Sequence, residues 1–145
     1  MNKFFKLILA TCIVCFVFAC EDDEDDPVTK EQYIQFLTNG SEKSWKIDRI
    51  IDPDGNNIKK DCQDDDVLVF KKENQEFSFM YNQKCFPEST DDFGTWEISD
   101  DLRILTFYGS ASIFSLNQEE LIIMYGYYDS KKVTGRSEYI FTAIE

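Results

Sequence analysis

The side chains in this chain that can do chemistry are cysteines and carboxylates. There are five Cys and 28 Asp plus Glu among 145 residues, and no His. Without imidazole there is no histidine-based triad, no histidine metal ligand and no side chain that ordinarily titrates near neutral pH. Paired carboxylates could still do acid–base work, for instance on glycans, if two of them faced each other across a cleft. With so many acids, chance proximity is expected, so no catalytic residue is assigned and the chain is read as a non-enzyme. The Asp-rich stretches have plain readings. Asp64-Asp65-Asp66 is expected to be a solvated loop and not a metal site. Asp52-Pro53-Asp54-Gly55-Asn56 looks faintly like a calcium loop. An EF-hand, however, needs Gly at its sixth position and Glu at its twelfth, and here Gly55 comes fourth, so a plain turn is expected. No metal or cofactor is implied.

Cys20 stands in a different setting from the other cysteines. Residues 1–19 read MNKFFKLILATCIVCFVFA, with Lys3 and Lys6 ahead of an apolar run from Leu7 to Phe18. This is signal-peptide anatomy, and the run falls short of the ~20 apolar residues of a spanning helix. Val17-Phe18-Ala19-Cys20 resembles a bacterial lipoprotein cleavage box. That resemblance implies cleavage before Cys20 and a diacylglyceryl group on its thiol. The protein would then be anchored to a membrane without spanning it. Each buried CH₂ contributes roughly 0.8 kcal/mol, so two or three acyl chains would hold firmly where one would not. An ordinary cleaved signal or a short uncleaved anchor is the alternative. Glu21 to Asp26 are six consecutive acids. Such a block repels itself and stays extended, as a spacer would. It also resembles the surface-export tag of lipoproteins in certain Gram-negative bacteria. The expected location is therefore the outer membrane, lipid-anchored and surface-exposed.

The domain division that follows is a leader over 1–19, the lipidated Cys and tether over 20–29, and one folded domain over 30–145. Loss of Lys3 and Lys6 leaves 13 basic residues against 28 acids, a net charge near −15. That balance disfavours nucleic acid, whose phosphates require a basic patch. It equally disfavours lying flat on anionic lipid. Cys12 and Cys15 would leave with the leader. Cys62 and Cys85 then form an even pair in an oxidising compartment, with no His or third Cys to complete a zinc site. A disulfide is expected, with two free thiols as the alternative.

Strand-forming residues dominate the domain, with aromatics at 15% of the whole chain. One helix is expected over residues 30–38. Thr29 and Gln32 fit a capping box, Tyr33, Ile34, Phe36 and Leu37 share helical spacing, and Gly40 is a plausible stop. It should pack as a lid or plug on one end of the sheet. Strands follow at about 44–51, 67–72, 76–82, 93–99, 102–108, 111–116, 121–128 and 137–144, with a polar loop over 129–135. Trp45 and Ile47, with Ile51, should share one face of the first strand, and Phe77, Phe79 and Tyr81 one face of the third. Gly94 should relieve crowding where its strand bends. Eight sequential strands predict an all-β, up-and-down antiparallel barrel. A two-sheet sandwich is the competitor.

The ordered set Trp45-Lys46-Ile47, Asp61-Cys62, Asp65-Asp66, Phe70, Phe77, Cys85, Gly94-Thr95-Trp96-Glu97-Ile98-Ser99, Leu105-Thr106, Ile113, Leu116 and Leu121 resembles the lipocalin-like domain of secreted and lipid-anchored bacterial proteins. The resemblance implies an eight-stranded barrel-like fold and a linking disulfide, and it carries no catalytic motif. The expected function is binding of a small apolar or amphipathic molecule. Trp45, Trp96, Tyr125 and Tyr127 are the candidate ligand residues. The two Trp have a plainer reading as core plugs, and Tyr125, Tyr127 and Tyr128 could equally lie on a strand covered on both faces. The alternative function is a solid barrel acting as a structural or protein-interaction module at the cell envelope.

Overall fold

The computed structural model describes residues 27–129 and 132–144. Cys20, the leader and the acidic run lie outside them. One helix, α1 (Lys30–Thr38), precedes nine strands: β1 (Glu42–Ile51), β2 (Val67–Lys71), β3 (Glu76–Met80), β4 (Asp92–Thr95), β5 (Glu97–Ile98), β6 (Ile104–Thr106), β7 (Ser110–Leu116), β8 (Glu120–Asp129) and β9 (Lys132–Ile144). All pairings are antiparallel, in the order β4-β3-β2-β1-β9-β8-β7-β6-β5. The first and last strands pair with each other, which curls the meander into a nearly closed barrel. Among the described residues no helix is long and apolar enough to cross a membrane.

The helix begins at the expected capping box. The Gln32 N–H donates to the Thr29 hydroxyl at 3.2 Å, and the Thr29 N–H donates to Gln32 Oε1 at 2.8 Å. These bonds satisfy amides that the first turn otherwise leaves unpaired. The stop falls one residue before Gly40, at Asn39 in the left-handed region with φ 48°. Leu37 is fully buried, and its carbonyl accepts the Trp45 indole N–H at 3.1 Å. Lys43 Nζ donates to the Phe36 carbonyl at 3.1 Å. The helix therefore plugs the barrel end formed by the start of β1 and the end of β2.

Nine strands replace the expected eight because the 93–99 segment is divided at Trp96. Up to Thr95 it pairs with β3, with Thr95 opposite Glu76. From Glu97 it pairs with β6, with Glu97 opposite Thr106. At the break the Trp96 N–H donates to the Gln75 carbonyl at 2.7 Å and the indole N–H to the Lys71 carbonyl at 2.9 Å. The side chain is 2% exposed. The same segment thus joins both ends of the sheet. Beyond this join β4 has no ladder on its other edge among the described residues, which leaves a seam beside the β6–β7 turn.

Two further expectations are corrected. A bulge between Ile47 and Arg49 shifts the side-chain phase of β1. Ile50 is buried in place of Ile51, because one extra residue inverts the alternation. The polar loop over 129–135 is shorter than expected, since β8 and β9 continue pairing to Asp129 and Lys132. The core at the plugged end joins Trp45, Phe70, Trp96, Ile98, Leu105 and Leu121, each 2% exposed or less.

Gly94 faces Phe77 across the ladder. A Cβ there would lie 2.8 Å from Phe77 Cε1. Overpacking of this kind costs about 1–3 kcal/mol, and urea unfolding of Gly94→Ala should show that loss. Cys62 and Cys85 form a disulfide, with Cα atoms 5.2 Å apart and 23 residues of sequence separation. Replacing both by Ala should lower unfolding stability by about 3 kcal/mol on the chain-entropy estimate.

Candidate functional site

The end of the barrel away from α1 holds a cavity of about 280 Å³. Its walls come from many strands because each inward position of a small barrel meets the same space. Ile47 of β1, Leu68 of β2 and Phe141 of β9 form the apolar depth. Phe79 of β3, Phe107 after β6, Tyr125 of β8 and Tyr139 of β9 form an aromatic wall. Neighbouring rings pack edge to face: Phe70 with Phe107 at 5.3 Å and Tyr125 with Tyr139 at 5.3 Å between centroids. That arrangement aligns ring quadrupoles favourably and fixes the wall before any ligand arrives. Burial pushes the Tyr125 phenol above its ordinary range, with the Tyr139 and Tyr108 phenols adding to it.

Above the cavity lies a polar vestibule of about 400 Å³, and Gln63, Tyr81 and Tyr108 line both spaces. Its roof is the loop after β3, which supplies Cys85, Phe86, Glu88, Ser89 and Thr90. The disulfide ties this loop to the 3-10 turn at Asp61–Gln63. A second tie is the Gln83 N–H, which donates to Asp65 Oδ1 at 3.1 Å. The Tyr81 hydroxyl donates to Asp92 Oδ2 at 2.9 Å. Its own proton is held more tightly than usual, by burial first and then by this bond.

Asp66 is the residue that the sequence reading misplaced. It was expected in a solvated loop and is 1% exposed, lining the vestibule. Its Oδ1 has no hydrogen-bond partner among the described residues. Burial, with the neighbouring Asp65 charge, pushes its pKa up to about 6. A signal was present: Asp66 is two and four residues before Leu68 and Phe70, the inward positions of β2.

The candidate ligand residues separate. Tyr125 lines the cavity. Trp45 and Trp96 sit at the plugged end, each bonded through its indole N–H to a backbone carbonyl, and neither lines the cavity. Tyr127 belongs to β8, but its side chain lies outside the described residues, as does Cys20. Around Asp52 the carboxylate accepts backbone N–H groups from Asp54 and Asn56 at 2.9 and 2.8 Å. Those bonds hold its pKa below the usual carboxylate value and make the segment a self-capped turn. Among the described residues, no group of three or more Cys, Asp or Glu is placed to hold a metal ion.

A small antiparallel meander barrel, plugged at one end and hollow at the other, defines a lipocalin-like architecture. The chain belongs to the lipocalin-like domain family, whose pattern its residues 42–123 match. No curated protein is similar enough to count as a relative. The barrel fold supports a binding-type role.

The burial of Asp66 has a thermodynamic signature. Its folded-state pKa lies above the unfolded one, so ionisation opposes folding. The penalty is present above about pH 6 and disappears as pH falls toward 4. A shift of this size corresponds to about 3 kcal/mol at most. Asp66→Asn should therefore unfold at higher urea than the parent at pH 8 by about 1–3 kcal/mol, and the two should converge near pH 4. A variant no more stable at pH 8 would contradict the burial of an unpaired charge.

Proposed function

We propose that this protein is a lipid-anchored binding protein whose barrel takes one small apolar or amphipathic molecule, without catalysis. The observation that carries the reading is the aromatic cavity at the unplugged end, walled by Phe79, Phe107, Tyr125 and Tyr139. Ligand sites are concave, mostly apolar and equipped with a few polar groups, and here the vestibule supplies the polar part. Tethering at Cys20, outer-membrane location and surface exposure belong to the same proposal. They are supported by the apolar leader, the small residue before Cys20 and the acidic run behind it. A non-catalytic role is supported by a chain without any imidazole base.

An envelope-protein partner is a second reading, supported by a different observation. Phe93 is 72% exposed and Tyr108 61% exposed, and both line a recess at the edge of β4 that no strand pairs among the described residues. A photo-crosslinking residue at position 93 should capture a discrete envelope protein in cells if this reading holds.

The binding reading is tested by amide and indole NMR shifts on titration with 1-octanol, a probe sized for the cavity. Backbone amides of Phe79, Phe107, Tyr125 and Tyr139 should move together with saturation. The Trp45 and Trp96 indole resonances at the plugged end should stay nearly still. Saturable shifts confined to the Trp indoles would place the ligand at the wrong end, and no saturable shift would remove the cavity as a site.

A further inference from the structure

Among the described residues, two buried side-chain oxygens have no hydrogen-bond partner: Asp66 Oδ1 and Ser137 Oγ. Ser137 is neutral, and its hydroxyl can rotate. Asp66 is an acid, and leaving a buried carboxylate unpartnered is costly. The nearby cations are committed elsewhere. Lys59 Nζ pairs with Asp64 Oδ1 at 2.7 Å and donates to the Ile47 carbonyl at 2.9 Å. Lys60 Nζ lies over the Phe86 ring at 5.0 Å. Two neighbouring donors are committed too, the Tyr81 hydroxyl to Asp92 and the Gln83 amide to Asp65.

The position of Asp66 is set by the fold. It is in phase with Leu68, which lines the apolar cavity, and it lines the vestibule directly above. Three acids, Asp66, Glu88 and Asp92, face that vestibule against one base, Lys60. A carboxylate head group would meet this charge unfavourably, whereas a protonated amine would find an unused acceptor in a low-dielectric setting.

We propose that Asp66 is the head-group anchor of the barrel, accepting a hydrogen bond from the ammonium of a cationic amphiphile whose apolar part fills the aromatic cavity. This assignment rests on the cavity reading above and adds the ligand's chemical class to it. It also predicts pH-dependent binding, because Asp66 gains a proton as pH falls through about 6. Among the described residues, the ionisable and charged groups around Asp66 are Asp65 of its own loop, Tyr81 just after β3, Asp92 of β4, Tyr108 between β6 and β7, and Lys60 and Glu88 around the vestibule.

The test compares octylamine, 1-octanol and octanoate by calorimetry on the purified protein. Octylamine should bind on the order of tenfold more tightly than 1-octanol, as expected for a charge-assisted bond in a buried site, and octanoate should bind weakest. Asp66→Asn should abolish the amine preference, bringing octylamine down to the affinity of 1-octanol for the same variant. Attraction of the amine to the acidic surface in general would survive that variant, since 27 of the 28 acids remain. In the parent protein, with no substitution, octylamine affinity should fall about tenfold between about pH 7 and about pH 5, and 1-octanol should change little. Octylamine and 1-octanol responding alike to the variant and to pH would overturn the Asp66 assignment and leave the cavity reading standing. Failure of all three probes to bind would overturn the cavity reading, and the assignment with it.

Discussion

The barrel depends on how the segment around Trp96 is held. The nine-stranded sheet closes only if its two edge strands, β4 and β5, are brought together, and both lie on this one segment. The Trp96 backbone N–H reaches the turn before β3 and its indole N–H reaches the end of β2. Its ring meets Phe70 edge to face at 6.1 Å. Each of these bonds is modest alone, but together they fix the point at which pairing passes from β3 to β6. Gly94 belongs to the same constraint. Two residues before the join, β4 must lie flat against Phe77, and the absence of a side chain lets it do so.

Closure at that single point divides the molecule into unequal halves. Below it, large side chains fill the interior and α1 caps it, so the barrel end is solid. Above it, β4 and the β6–β7 turn part, and the rings of Phe107, Tyr125 and Tyr139, packed edge to face, surround an open space. The disulfide and the Asp65 bond then hold a long loop over this opening. Local chemistry agrees with the fold almost everywhere in the solid half. The clearest conflict is Asp66, a charge placed by strand phase where the described residues offer its Oδ1 no partner. Conflicts of this kind tend to mark functional positions, where stability is sacrificed for a role.

Much of the architecture was legible because it follows from local rules. The Thr29–Gln32 box, the alternation of Phe77, Phe79 and Tyr81, and the small residue at 94 each imply their own structure. What was illegible came from non-local effects. The bulge that exchanges Ile50 for Ile51 depends on how β1 meets β9. The break at Trp96 depends on two ladders competing for one segment. The candidate site was partly legible: Tyr125 was singled out by its aromatic strand. Trp45 and Trp96 were given two readings that only the position of the cavity separates. Asp66 was hidden by its neighbours, since three consecutive acids look solvated, although the third already keeps step with Leu68.

The plug at the closed end has a geometric corollary. The chain enters the domain there, through Lys30 at the start of α1. Held at Cys20 as proposed, the barrel would stand on its solid base with its mouth uppermost. A molecule would then be received from the surrounding water, and a bilayer lipid would have to travel the height of the domain to reach the same opening.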